Sequence, residues 1–309
     1  MVLGGGPIGS ELTQAFARLG SQVTQVEMAP RLLLREDPEV SALVEASFAH
    51  DGVSVRTHTK AKAVVREGGE WLLVCERDGV EERIAFDRII VAVGRAARLK
   101  DFGLQELGVK AVRVIEVDDY GRTNFPNIFA CGDAAGPYQF THTAAHTAWY
   151  AAVNALFGKL LWLRGGLFRI DYSVIPWCTF TAPEVARVGL NEIEAKEKGV
   201  AYEVSRYALD DLDRAIADGE TEGFVKVLTV PGKDKVLGVT IAGHGAGDLI
   251  AEWVLAMRCG IGLNKILGTI HIYPTYAEAN KYTAGVWKQA HKPEKIVRLL
   301  ERFHAYNRG

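Results

Sequence analysis

The stretch that most constrains this chain is its opening, MVLGGGPIGSEL. Gly4, Gly6 and Gly9 have the spacing G-x-G-x-x-G. Pro7 and Ile8 fill the turn between the last two glycines. The stretch that follows, SELTQAFARLG, sets Leu12, Ala15, Phe16 and Leu19 at i, i+3, i+4 and i+7, which predicts a helix that ends at Gly20. QVTQVE then reads as a short strand, closed by Glu27 eighteen residues after Gly9. A strand, a glycine turn, a helix and a second strand ending in an acid form one physical unit. The first glycine permits the tight turn, the second lets backbone approach a diphosphate, and the third allows close packing of helix on strand. The helix start offers free N–H groups and partial positive charge to the phosphates.

That layout is a Rossmann unit, so Gly4, Gly6, Pro7, Ile8, Gly9 and Glu27 are the candidate dinucleotide-binding residues. Glu27 can accept both hydroxyls of an adenosine ribose and would repel a 2′-phosphate. Arg31 stands near enough to temper that preference, and NAD is expected ahead of NADP. Farther on, REDPEVSALVEASFAHDGV predicts a helix capped by Asp37, with Pro38 at its first position and Gly52 at its end. AKAVV, WLLVCE and RIAF, separated by EGG and DGV, predict a three-stranded antiparallel meander. RIIVAVGR predicts an apolar strand ending in Gly94 and Arg95. NIFACGD predicts a short strand ending in Gly132 and Asp133, with a helix beginning near Phe140, Thr141 and His142. An acid at such a strand end suits a polyol hydroxyl.

Composition narrows the function classes. A formal net charge of -2, without a basic block, argues against a nucleic-acid partner. No run of 18 apolar residues predicts a membrane helix, and a cytoplasmic protein is expected. Cys75, Cys131, Cys178 and Cys259 form no CxxC or CxxxxC pair and read as isolated thiols. His142 and His146 stand at i, i+4 but lack a third ligand in sequence, so no metal site is expected. LLWLRGGLF reads as a helix end and linker, LDDLDRAIADGE as a solvated loop or short helix. EKIVRLLERFHAY reads as an amphipathic helix packed on its own domain or on a partner.

The order GGGPIGSEL, VAVGR, TNFPNIFACGD and YPTYAE resembles the class I pyridine nucleotide–disulfide oxidoreductases, of dihydrolipoamide dehydrogenase and mercuric reductase type. LDDLDRAIADGETEGFVKVL is most similar to mercuric-reductase-like members. The resemblance implies an α/β chain with three modules. These are a Rossmann-type NAD domain with a β-meander at 1–95, a partial FAD domain at 96–169, and an α+β interface (dimerisation) domain at 170–309. VIPWCTFT, GFVKVLTV and KVLGVTIAG would supply strands of an antiparallel sheet in the last. It further implies that Asp133 would bond the flavin ribitol, that Glu11 would sit near the nicotinamide–flavin contact, and that the helix start at Thr141 and His142 would lie near the flavin ring. The acid–base pair of the family falls on Tyr273 and Glu278, with tyrosine where the disulfide reductases have histidine. A phenol with a pKa near 10 is a poor base at neutrality. Tyrosine there resembles mercuric reductase, in which it would contact a metal ion, although the chain has no paired cysteines near its end. His271, two residues earlier, is the candidate to substitute as base; the alternative is that His271 and Tyr273 only pack the interface.

The family's first FAD-binding glycine unit and CxxxxC disulfide have no counterpart in these 309 residues. The expectation is therefore a C-terminal fragment of a flavin-dependent NAD(P)H oxidoreductase. It would bind NAD, hold FAD weakly or not at all, form a homodimer, and be inactive alone. Its electron acceptor would be a small molecule, and the missing N-terminal FAD half a further partner. The alternative is a non-catalytic NAD-binding dimer acting as sensor or scaffold.

Overall fold

The computed structural model describes residues 1–163 and 166–308. They form two compact units, Met1–Val93 together with Pro176–Gly309, and Gly94–Ile175.

In the first unit, β1 (Val2–Leu3), α1 (Pro7–Arg18), β2 (Thr24–Val26) and α2 (Pro38–His50) follow the expected order, and β3 (Ser54–Arg56), which the sequence reading did not assign, adds a further parallel strand. A meander of β4 (Thr59–Glu67), β5 (Glu70–Arg77) and β6 (Val80–Phe86) comes next, then β7 (Ile90–Val91). The parallel sheet runs β3-β2-β1-β7, and β4-β5-β6 form a separate antiparallel sheet. The strand expected over RIIVAVGR stops at Val91, because its ladder partner β1 ends at Leu3. Helix α2 carries Val40, Val44 and Phe48 at i, i+4 and i+8, all buried. They pack with Leu32, Leu33, Val185 and Phe224, so one apolar core joins the Rossmann elements to the later sheet.

That later sheet is built from β8 (Pro176–Thr179), β9 (Glu184–Gly189), β10 (Glu203–Ala208), β11 (Phe224–Thr229) and β12 (Val236–Gly243). It is antiparallel throughout, in the order β10-β11-β12-β9-β8. Every residue of β11, flanked by β10 and β12, is buried, Lys226 included. LDDLDRAIADGE resolves into a short 3-10 turn at Leu209–Asp211 and a helix at Asp213–Asp218. A helix of the second unit, α3 (Thr141–Leu163), comes earlier in the chain, and α4 (Glu192–Glu197), α5 (Asp213–Asp218), α6 (Ala246–Arg258), α7 (Leu263–Leu267), α8 (Glu278–Ala290) and α9 (Glu294–Arg308) complete the first. Along Val297–Arg308 of α9 every side chain is exposed, up to 85% at Tyr306. Its apolar face is thus not covered by its own domain, a correction to that half of the expectation.

The second unit holds a 3-10 turn at Gly132–Ala134 and α3 (Thr141–Leu163). The strand expected over NIFACGD does not form. Phe129 makes one isolated bridge to Arg122, and the neighbouring backbone bonds are turn-like, such as Thr123 N–H to Ile128 O at 2.9 Å. A strand needs a ladder, and the pairing with residues 121–123 stops at this single bridge. Arg164 and Gly165, within the stretch read as helix end and linker, lie outside the described residues. Among the described residues no helix is long and apolar enough to cross a membrane.

Candidate functional site

The glycine turn is shaped by close contacts on one side and space on the other. A Cβ on Gly9 would sit 2.1 Å from Gly4 O, and one on Gly4 (φ +114°) 2.4 Å from Ala92 O. Both positions therefore exclude side chains. Gly6, the N-cap of α1, has no atom within 4 Å of the place a Cβ would occupy, and no side chain caps the helix. The N–H groups of the first turn thus border open space. Pro7 and Ile8 are exposed beside them. At the end of β2, the Glu27 carboxylate accepts from Gly5 N–H at 2.5 Å and from Ala29 N–H at 2.6 Å. It is thereby fixed beside the glycine turn while lone pairs remain for further donors. Arg31 is committed elsewhere. Its Nη1 donates to Glu36 O at 2.8 Å and to Ser41 Oγ at 3.1 Å.

In the second unit the structure brings Arg95 and Asp133 within 3.8 Å, and Arg95 also donates to Gln139 O. Gly94, the residue before, has a positive φ of +128°. Gly132 (φ +61°) lies against α3. Its N–H donates to Thr147 Oγ1 at 3.0 Å, and a Cβ there would meet Ala144 Cβ at 2.8 Å. Thr141 opens α3, and the His142 ring stacks on Phe140 at 5.2 Å. His146 instead packs on Tyr150.

Tyr273 and Glu278 line one pocket of about 230 Å³ with Tyr207, Asp211, Leu212, Asp213 and Tyr282. The Tyr273 hydroxyl donates to Asp213 Oδ2 at 2.9 Å, and this bond raises the phenol's pKa. Glu278, buried at the start of α8, accepts from Tyr282 OH at 3.1 Å and from Thr275 N–H at 3.2 Å. His271 is not part of this pocket. Its Nε2 lies 3.0 Å from Glu252 Oε1 and its Nδ1 3.1 Å from Thr269 O. Glu11 is likewise engaged apart from it, accepting from Phe180 N–H at 2.9 Å and tying α1 to the end of β8. All four cysteines are free. Burial, reinforced by Glu184 and Glu11, pushes the Cys178 thiol up to about 12, which removes it as a nucleophile near neutrality.

Residues 1–149 match the pyridine nucleotide-disulphide oxidoreductase family model, and residues 175–284 match that family's dimerisation domain. The chain belongs to this family. It is 36% identical to a mercuric reductase of Streptomyces lividans, over 92% of this chain and 59% of the relative. It is also 36% identical to a dihydrolipoyl dehydrogenase of Staphylococcus aureus, over 90% of this chain and 58% of the relative. Its fold is similar to that of LpdA from Mycobacterium tuberculosis, with a TM-score of 0.81 and 26% identity, over 92% of this chain and 60% of that one. The flavoprotein disulfide reductase RclA from Escherichia coli shares the fold at TM-score 0.82 and 24% identity, over 92% and 64%. The chain thus spans less than three fifths of the length of the curated relatives named.

Members of the pyridine nucleotide-disulphide oxidoreductase family are enzymes that use FAD and NAD(P). The glycine turn and Glu27 suit the dinucleotide. An open helix start meets phosphates, and a fixed carboxylate meets ribose hydroxyls. The sequence reading missed a second set of functional-looking residues in this family member. Asp37 occupies the cap position of α2 but makes no cap bond there. It accepts instead from Ile193 N–H at 3.2 Å, at the start of α4, and from Lys226 Nζ at 2.6 Å. A lysine inside the apolar strand FVKVLT was the signal available in the sequence, since a buried ammonium needs anionic partners.

Proposed function

We propose that this chain is the nucleotide-binding and dimerising portion of a flavin-dependent NAD(P)H oxidoreductase. The reading is carried by one observation: the Glu27 carboxylate is held by Gly5 and Ala29 N–H groups beside an uncapped α1. Gly4, Gly6, Pro7, Ile8 and Gly9 would hold the diphosphate, and Glu27 the adenosine ribose. NAD is favoured over NADP, because a 2′-phosphate would face the Glu27 carboxylate while Arg31 is spent on loop oxygens. Gly94, Arg95, Gly132, Asp133, Thr141 and His142 would contribute one side of an FAD site. When bound, the two cofactors would supply hydride and electron transfer, and the chain would supply orientation.

Tyr273 and Glu278, with Glu11, remain the candidates for the acceptor end of the chemistry. Tyr273 would act there as a hydrogen-bonding phenol and not as a base, since its pKa is raised further by Asp213. The sheet β10-β11-β12-β9-β8 and its helices would form a homodimer, as the match to the dimerisation domain supports. With four free cysteines, the 309-residue chain alone should reduce neither lipoamide nor Hg(II) with NADH. That same observation supports the second reading, a nucleotide-binding dimer without redox chemistry.

Fluorescence titration of the purified chain tests the shared claim. NADH should bind at least about tenfold more tightly than NADPH, and Glu27→Ala should weaken NADH by a similar factor. Absence of NADH binding would remove both readings. Turnover of either acceptor by the chain with added FAD would remove the claim that it is inactive alone. A tightly bound flavin in its absorption spectrum would favour the oxidoreductase over the scaffold.

A further inference from the structure

Two cations of the antiparallel sheet are almost completely excluded from water: Arg187 on β9, 0% exposed, and Lys226 on β11, 1% exposed. Both reach the same segment of the Rossmann half, the loop of residues 29–37. Arg187 Nε lies 2.9 Å from Glu36 Oε2, and its Nη2 donates to Glu194 at 2.9 Å. Glu36 also accepts from Trp177 Nε1 at 2.9 Å, and the Arg187 guanidinium covers the Trp177 ring at 4.3 Å. Asn191 donates to Arg35 O at 2.9 Å. Lys226 bonds Asp37, Glu39 and Glu192 at 2.5 to 3.0 Å. Burial pulls the Lys226 ammonium down, but these three hydrogen bonds outweigh it and leave its pKa raised. No metal is needed among Asp37, Glu39 and Glu192, because the ammonium already lies between them.

The other side of this loop touches the nucleotide cradle. Leu33 N–H donates to Gly5 O at 2.8 Å, and Glu36 N–H to Leu33 O at 2.8 Å. A Cβ on Gly5 would lie 2.9 Å from Leu32 Cδ2. Ala29 N–H holds Glu27. Three links therefore connect Arg187 to the glycine turn, through Glu36 and Leu33. An apolar cluster of Leu32, Leu33, Val40, Val185 and Phe224 already joins the two halves. Buried ion pairs are an expensive way to add adhesion, since apolar groups of the same volume do as well or better. Here the pairs join named atoms at short range, Arg187 to Glu36 at 2.9 Å and Lys226 to Asp37 at 2.6 Å.

We propose that Arg187 and Lys226 are positioning residues for the nucleotide: from the dimerisation sheet they hold loop 29–37, which holds the glycine turn and Glu27 in binding geometry. The proposal rests on the reading of that turn as the nucleotide site. It makes affinity for the adenosine half depend on residues that never touch it.

The test is calorimetric titration of the 309-residue chain with ADP-ribose, which contains the diphosphate and adenosine but no redox group. Arg187→Lys retains the charge and loses the fork that spans Glu36 and Glu194. Its Kd should rise about tenfold, within the usual range of coupling between sites. Trp177→Phe keeps the ring, removes one donor to Glu36, and should raise Kd about threefold, well under the Arg187 effect. It serves if the arginine variant does not fold. Val239→Ala, on buried β12 and outside the joining cluster, controls for loss of sheet stability and should leave Kd within about twofold while lowering Tm. The proposal is overturned if both loop-clamp variants stay within about twofold of the parent chain, or if Val239→Ala weakens binding as much as Arg187→Lys does. Failure of the parent chain to bind ADP-ribose would overturn the cradle reading along with it. Loss confined to the clamp variants supports the proposal.

Discussion

At the scale of single residues, environment decides which side chains can react. Cys178 illustrates this. Its thiol is carried up to about 12 by burial and by neighbouring carboxylates, and Cys75 is raised in the same direction by burial. Cys259 is exposed. Alkylation at pH 8 should therefore label Cys259 first, with Cys178 and Cys75 modified only on unfolding, as read by peptide mass mapping. Equal labelling of all three in the native protein would contradict the structure. Tyr207 and Tyr276 are also pushed up to about 12, mainly by burial. A folded pKa above the ordinary phenol value means that the native state keeps its proton longer than the unfolded state. Stability is then complete below pH 10 and declines as pH rises from 10 towards 12. Denaturant titrations across that window should show the decline, with phenolate absorbance appearing late.

The elements divide into those whose pattern was self-sufficient and those that needed partners. Helix α1 was legible because apolar side chains recur at helical spacing up to Gly20, and α2 because Pro38 starts it and Gly52 ends it, although α1 in fact begins at Pro7. The meander was legible from its glycine turns. NIFACGD was not, because an apolar run becomes a strand only if a ladder lies beside it. Strands β9 and β10 were missed for the opposite reason: Glu184, Arg187, Glu203 and Arg206 break the apolar pattern. Arg187 is buried only because Glu36 and Glu194 meet it there. At this scale Gly9→Ala is diagnostic. Its methyl would stand 2.1 Å from Gly4 O, so strand and helix must separate. The expected result is loss of NADH binding and a stability loss of roughly 1–3 kcal/mol, read by urea denaturation. For α9, whose described side chains from Val297 onward are exposed, removing residues 294–309 should leave Tm unchanged within about 2 °C.

At the scale of the whole molecule, the chain leaves the Rossmann half at Val93, builds a second unit, and returns at Pro176 to the first. Nucleotide bound to the first unit should stabilise that unit alone. With ADP-ribose at one hundred times its Kd, the gain is about 2.7 kcal/mol. Differential scanning calorimetry should show two transitions, of which one moves with ligand. A single transition shifting as a whole would mean that the units unfold together. The match of 175–284 to a dimerisation domain predicts twice the chain mass by light scattering.

The sequence by itself determined the family, the glycine turn with its distant Glu27, helices α1, α2 and α3, and the meander, because these depend on local spacing and backbone geometry. It also placed Tyr273 and Glu278 in one segment, five residues apart. Tertiary structure alone decided that Arg31 faces loop oxygens, that His271 is bound to Glu252, that the Asp37 carboxylate bonds Lys226 and the start of α4 instead of its own helix, and that two buried cations clamp loop 29–37. Each of those outcomes pairs groups distant in sequence or sets the direction of a long side chain. Their energies come from desolvation and charge pairing inside the folded core, which no local pattern records.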